Sequence, residues 1–217
     1  MVNNNISGYT TDSQTENKIL RSALNVFVNK GWHGASMQEI ADNAGVNKAL
    51  LHYYFRTKQN LYEKIFEFII AKNFQQLNDC LNENGNFYDI LSNFVDRYIN
   101  IFADNSKLSL FIMRDFIYGG NIITKEFKKL ADTPTGLPPQ KFMRITEKAK
   151  ARGEIKDVNS FQLLLTILGA CIYSFFAEPL IKEIMPLKPE INSKEFLKER
   201  KRSIVETIYN GIRKDKK

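Results

Sequence analysis

Residues 36–61, SMQEIADNAGVNKALLHYYFRTKQNL, decide the fold. They read as two short helices hinged at a glycine, followed at once by the start of a third. Ser36 stands three residues before Glu39, the spacing of a capping box that satisfies orphan N–H groups at a helix start. Ile40, Ala41 and Ala44 supply a small apolar face. Gly45 falls where a helix needs a residue tolerant of positive φ to stop. Val46 suits the crevice of the turn, and Asn47 can cap the next helix. That helix, Lys48 to Phe55, carries Lys48, His52, Tyr53 and Tyr54, groups suited to base edges and phosphates. Thr57 can cap the third helix, beginning at Lys58. The pattern is a helix-turn-helix with its recognition helix second. An ordinary helical hairpin shares the helix–glycine–helix outline. The very short turn, the polar and aromatic second helix and an amphipathic helix upstream favour DNA binding.

From about Gln14 to Phe68 the chain resembles the DNA-binding domain of TetR-type (tetracycline-repressor-like) transcriptional regulators. The matching run is ILRSALNVFVNKGWHGASMQEIADNAGVNKALLHYYFRTKQNLYEKI. It holds F-x-x-x-G, S-x-x-x-I-A-x-x-A-G-V, L-x-x-Y-F and K-x-x-L-Y at fixed spacings. Ala49 stands where the family usually has glycine, and His52 and Tyr54 where it has Tyr and His. The resemblance implies an all-α fold: a three-helix helix-turn-helix domain joined to a larger helical ligand-binding and dimerisation domain. It also implies that Lys58 anchors a phosphate, and that the third helix is a lever which a ligand moves. On this reading residues 1–12 are a disordered tail, 13–60 the DNA-binding domain and 61–217 the effector-binding and dimerisation domain.

Position assigns roles along the DNA-facing surface. Lys48 opens the recognition helix and suits the O6 and N7 acceptors of guanine. Asn47 can cap the helix, contact a base, or both. Ala49, His52 and Tyr53 complete the recognition-helix set, the last two toward phosphates or a thymine methyl. Ser36, Met37 and Gln38 would meet the opposite backbone, and Lys58 adds its phosphate contact. Leu50, Leu51 and Phe55 are read mainly as core, as is Trp32, the sole tryptophan.

Composition agrees with a DNA-binding protein but does not locate the DNA. The net charge is +7. Residues 1–60 hold six Lys and Arg against four Asp and Glu, 61–193 hold sixteen of each, and 194–217 hold nine against four. Most of the excess therefore lies at the C-terminal helix end, where basic residues complement the helix dipole, away from the recognition helix.

The remainder reads as helix throughout. A first helix over 13–30 stops at Gly31. The third helix continues from Lys58 toward Leu81. Helical segments follow at 87–102, 107–118, 122–130, 140–152, 159–177 and 194–213, with the clearest loop at 131–139. The run from Phe161 to Ala177 is interrupted by Gln162, Thr166 and Ser174 and falls short of a membrane span. With no signal-like N-terminus, the expectation is a cytoplasmic protein without a membrane partner. Cys80 and Cys171 are too few for a disulfide framework or a zinc site, and no cofactor motif is present. Both histidines, His33 and His52, lie in the DNA-binding region, so catalysis is not expected.

The body is rich in phenylalanine, including Phe94, Phe102, Phe111, Phe116, Phe127, Phe142, Phe175 and Phe176. Core packing explains these residues, and so does a pocket for a hydrophobic or flat small-molecule effector. The candidate lining set is Tyr98, Phe102, Phe111, Arg114, Tyr118, Tyr173 and Phe176, with Asp115 and Arg114 also readable as a surface pair. The segments 159–177 and 194–213 carry the candidate dimer interface: Leu168, Gly169, Ile172, Ile204, Ile208 and Ile212. A lone helix-turn-helix reads few base pairs, whereas a two-fold homodimer reads two half-sites of a palindromic double-stranded operator. The expected function is a ligand-responsive transcriptional regulator, read as a repressor. The alternative is an architectural DNA-binding protein with no effector.

Overall fold

A computed structural model describes residues 11–104, 111–112, 115, 121–132, 136–185 and 190–214. It is all-α. The helices are α1 (Thr11–Gly34), α2 (Met37–Ala44), α3 (Lys48–Phe55), α4 (Lys58–Cys80) and α5 (Phe87–Ala103). They continue as α6 (Asn121–Ala131), α7 (Pro138–Ala151), α8 (Ser160–Phe176), α9 (Glu178–Ile184) and α10 (Lys194–Ile212). The chain divides into two compact units, Met1–Ile69 and Ile70–Lys217, with the division inside α4. Helix α1 starts at Thr11, inside the stretch expected as a tail, and its regular part is broken at Gly31 (φ 69°, ψ −178°).

In the first unit the apolar face of every helix meets the same small core. Ile19, Ala23 and Phe27 of α1, Ile40 and Ala41 of α2, Leu51 of α3, and Leu61 and Ile65 of α4 are all buried. Ser22 Oγ donates to the Ile40 carbonyl at 3.1 Å, tying α1 to α2. Trp32 stacks on Phe27 with centroids 5.9 Å apart and meets Tyr62 edge-on at 5.1 Å, so its ring packs within this unit as expected.

The second unit is held by helix starts of one kind and by an aromatic core. Asn86, Asn159 and Ser193 each accept a backbone N–H from three residues on, fixing the first turns of α5, α8 and α10. Phe94 of α5 and Phe142 of α7 stack at 4.7 Å in the centre, with Phe87, Leu91, Val95, Ile99 and Ile167 buried around them. Aromatic pairs of this kind add to the burial of their large apolar area. At the far end of α10 the chain pairs with the segment after α7. Lys156 N–H donates to the Ile212 carbonyl at 2.7 Å, beside an isolated antiparallel bridge between Ile155 and Arg213.

Helix α9 falls between the expected segments 159–177 and 194–213, with Pro179 near its start. The proline lies in the first turn, where a missing N–H leaves no bond unmade. Expected segment 107–118 is represented by Phe111, Ile112 and Asp115, which are helical; its other residues apart from these lie outside the described set. Asp115 is buried rather than at the surface. Among the described residues no single helix is long and apolar enough to cross a membrane.

Phe142 is fully buried between Phe87 and Phe94. Phe142→Ala should therefore destabilise the second unit by about 3–5 kcal/mol, measured by urea unfolding followed by far-UV circular dichroism. A loss below about 1 kcal/mol would show that the aromatic stack is not the centre of the core.

Candidate nucleic-acid interface

The reading surface is built by caps that hold α2 and α3 at a fixed angle. Ser36 Oγ accepts the Glu39 N–H at 3.1 Å. The Glu39 carboxylate pairs with Lys30 Nζ at 2.7 Å, tying the start of α2 to α1. Gly45 ends α2 in the left-handed region (φ 60°, ψ 39°). Its N–H bonds the Asp42 carbonyl at 3.0 Å while the Val46 N–H bonds that of Ala41 at 3.0 Å, a Schellman closure. Asn47 Oδ1 then accepts the Leu50 N–H at 2.7 Å and starts α3. A three-residue connection thus stops one helix and starts the next.

Helix α3 is pinned by Leu51 and Phe55, which are buried. The opposite face is open: Asn47, Lys48, Ala49 and Tyr53 are exposed, Tyr53 at 75 %, and His52 is half-buried. Ser36 and Gln38 are also exposed and Met37 is half-buried. Gln38 Nε2 donates to Asp42 Oδ1 at 2.8 Å, which holds its amide along α2. Tyr53 and Tyr54 meet edge-on at 5.5 Å. His52 Nδ1 lies 2.9 Å from the Arg56 carbonyl, which can only accept, so Nδ1 is the donor in this contact.

Lys58 departs from its expected role. Its Nζ donates to the Trp32 carbonyl at 2.7 Å and the Ala35 carbonyl at 3.0 Å, and sits 4.7 Å from the Trp32 ring centroid. Two of the three ammonium donors are engaged within the unit, and the charge lies against an aromatic face. The side chain closes the end of α1 rather than reaching outward to a phosphate. Thr57 Oγ1 caps the same helix start by accepting the Asn60 N–H at 3.1 Å. The carbonyls left open where α1 breaks were the sequence signal for this contact, but nothing local names the lysine that fills them.

In the second unit the residues expected to line an effector cavity separate. Phe102 and Phe111 are buried, and Tyr98 is half-buried against the same core. The Tyr98 ring meets Phe102 at 5.4 Å, Phe102 meets Phe175 at 5.9 Å, and burial raises the Tyr98 phenol pKa well above its usual value. Tyr173 and Phe176 instead lie on the outer face of α8, 58 % and 45 % exposed. Arg114 and Tyr118 lie outside the described residues. Cys171 is buried, and burial pushes its thiol pKa up to about 12. Grooves formed by the described residues include one of about 490 Å³ between α5 and α10 and one of about 460 Å³ between α8 and α10. Neither is lined by the expected effector residues.

The expected interface set also divides. Ile204 and Ile212 are buried in the unit's own core, because the apolar stripe of α10 packs on α5 and α8. Ile208, Leu168 and Ile172 are half-buried, and Gly169 is exposed with open space beside it. Among the described residues, exposed apolar side chains run along α8 and α9: Phe161, Leu165, Tyr173 and Phe176, then Leu180 and Ile184.

With this geometry established, comparison with known proteins is specific. Residues 19–65 match the family model for bacterial regulatory proteins of the tetR family. The HTH-type transcriptional activator FasR of Mycolicibacterium smegmatis is 44 % identical over 50 residues, 23 % of each chain. The biofilm operon icaADBC HTH-type negative transcriptional regulator IcaR of Staphylococcus aureus is 28 % identical over 104 residues, 42 % of this chain and 54 % of that one. The matched regions thus span about a quarter and about half of these curated relatives. The fold is shared along nearly the whole chain with a bacterial regulatory protein of the tetR family from Rhodococcus. That structure gives a TM-score of 0.70 at 16 % identity, covering 94 % of this chain and 100 % of the other.

The Lys58 clasp carries a direct test. Lys58→Met keeps the stem but strands two carbonyls, and should destabilise the first unit by about 1–3 kcal/mol. Trp32 is the sole tryptophan and lies under the ammonium, so its fluorescence during urea unfolding reports this unit. Unchanged emission and midpoint would refute the clasp. The caps, the packing of α3 against α2, and the family match converge on one segment: residues 19–65 match the tetR family of bacterial regulatory proteins, and the rest of the chain shares the fold of its solved members.

Proposed function

We propose that the protein is a ligand-responsive transcriptional regulator that binds a palindromic DNA operator as a homodimer. A small hydrophobic molecule entering the second unit releases it. The observation that carries this reading is the two-sided character of α3. Its Leu51 and Phe55 face is buried, while the opposite face presents Lys48, Ala49, His52 and Tyr53 from a helix capped at a fixed angle. A core helix would not leave a tyrosine three-quarters exposed beside a free lysine.

In this reading Lys48 donates to a guanine edge, and Asn47 caps α3 with its oxygen while its amide stays on the exposed side. His52 and the Tyr53 hydroxyl reach phosphate or base. Ser36, Met37 and Gln38 line the opposite backbone. Lys58 acts from behind, holding α4 to the α1–α2 corner, while backbone N–H groups at the start of α4 remain suited to phosphate.

Dimerisation is assigned to α8 and α9. Phe161, Leu165, Gly169 and Tyr173 recur every four residues along α8, a single row with a glycine at its middle. A row of this kind lets a second helix approach closely at the centre while large side chains interleave on either side. Leu168 and Ile172 flank it, and Ile208 adds the edge of α10. The effector would enter among Tyr98, Phe102 and Phe111, with Arg114 and Tyr118 nearby in sequence. It must bind the DNA-incompetent state more tightly, since equal affinity for both states shifts nothing. One relative is an activator and the other a negative regulator. The sign of regulation follows from where an operator lies relative to its promoter, and repression is the reading proposed.

Selecting bound fragments from genomic DNA tests the function, followed by screening of hydrophobic compounds for release of the best fragment. Enrichment of a sequence with two-fold symmetry is expected; recovery without enrichment would leave only an architectural binder. On the enriched duplex, Lys48→Ala should relax preference at one base pair per half-site, a loss of about 1–3 kcal/mol. A uniform loss across all positions would place Lys48 on the backbone instead. Leu165→Asp, in the middle of the exposed α8 row, should convert the dimer to a folded monomer by light scattering. A dimer that survives this change would place the interface elsewhere.

A further inference from the structure

We infer that Arg56 is a DNA-phosphate contact, a cation held by a strained turn where the recognition helix ends. The inference rests on the DNA-binding reading above. Arg56 has φ 55° and ψ −52°, and among the described residues it is the only non-glycine with positive φ. A long side chain is disfavoured there, and glycine or asparagine would take the position more easily. Backbone strain of this kind persists when the surroundings over-determine it, and it concentrates where a side chain has work to do.

The surroundings do over-determine it. The Arg56 N–H donates to the His52 carbonyl at 2.9 Å, and the Thr57 N–H closes back on the Phe55 carbonyl, a γ-turn of the rare positive-φ kind. His52 Nδ1–H donates to the Arg56 carbonyl from the other side. Thr57 then caps α4 and Lys58 clasps the α1–α2 corner. Both peptide groups around Arg56 are thus fixed, and only its side chain is left uncommitted.

That side chain is exposed, and no carboxylate or carbonyl engages it among the described residues, whereas Lys30 and Lys64 of the same unit have carboxylate partners. Arg56 lies four residues after His52 and three after Tyr53. It stands one residue past the end of α3, next in sequence to the helix that carries Lys48, His52 and Tyr53. A guanidinium suits phosphate oxygens, which it can grip with two parallel N–H bonds. Lys58, expected to hold a phosphate, has its ammonium turned inward, and Arg56 is the free cation two residues away. The same charge also complements the C-terminal dipole of α3, and the experiment separates the two roles.

The test compares wild type with Arg56→Gly and Arg56→Lys. Each is titrated by fluorescence anisotropy, over a series of salt concentrations, against an enriched genomic duplex and a mixed-sequence duplex of equal length. Arg56→Gly should melt at the wild-type temperature or above, because glycine relieves the turn. It should nevertheless bind both duplexes about tenfold more weakly at low salt. The slope of log K against log salt should fall by about 0.9 per protomer, while Arg56→Lys retains the slope. Wild-type affinity and slope for Arg56→Gly would overturn the inference, as would a loss confined to the enriched duplex. Failure of the wild-type protein to bind either duplex would overturn the DNA-binding reading itself.

Discussion

One half-buried ammonium organises the first unit. Helix α1 breaks at Gly31, and the carbonyls near its end need partners that the helix does not supply. Lys58 provides them from 23 and 26 residues away, while its charge rests on the Trp32 ring. Because Lys58 is also the first residue of α4, one side chain joins the end of α1, the corner before α2 and the start of α4. The Lys30–Glu39 pair and the Ser22 bond to Ile40 strengthen the same corner. Helix α3 lies between these fixed points, and its caps leave it little freedom to pivot. A reading surface of few contacts depends on such positioning, since contacts misplaced by an ångström lose most of their strength.

The second unit solves a different problem. Helix α8 is apolar nearly all round, with Leu163, Leu164, Ile167, Cys171 and Phe175 turned inward and Phe161, Leu165, Tyr173 and Phe176 turned outward. Burial of one face supplies cohesion within the unit. The open face remains a patch of the kind that marks an association surface. Aromatic residues dominate the interior, where Phe94, Tyr98, Phe102, Phe142 and Phe175 form a connected set of ring contacts.

Much of the first unit was legible in residue order because its determinants are local. Ser36, Asn47 and Thr57 cap as their types suggest, Gly45 ends α2, and Ile40, Ala41 and Ala44 face inward. Each of these contacts spans five residues or fewer, so the chain between its partners has little room to do otherwise. The Lys58 contact is not legible in residue order because its partners lie 23 and 26 residues away. The positive φ at Arg56 has no signature in residue order. In the second unit, Tyr173 and Phe176 of the expected effector set are exposed, and Ile204 and Ile212 of the expected interface set are buried in the unit's own core. Periodicity identifies an apolar stripe but does not name the helix that covers it, and on a helix apolar all round it does not even choose the face.

Residue order alone determined the helical class, the helix-turn-helix, the positions of its caps and the family resemblance across residues 19–65. These rest on hydrogen bonds closed within a turn and on apolar spacing that matches the helical repeat. Tertiary structure decided where the Lys58 ammonium goes, which side of α8 stays open, and how a strained turn presents Arg56. Those outcomes depend on groups brought together from distant parts of the chain, where packing and the satisfaction of buried carbonyls outweigh any local preference.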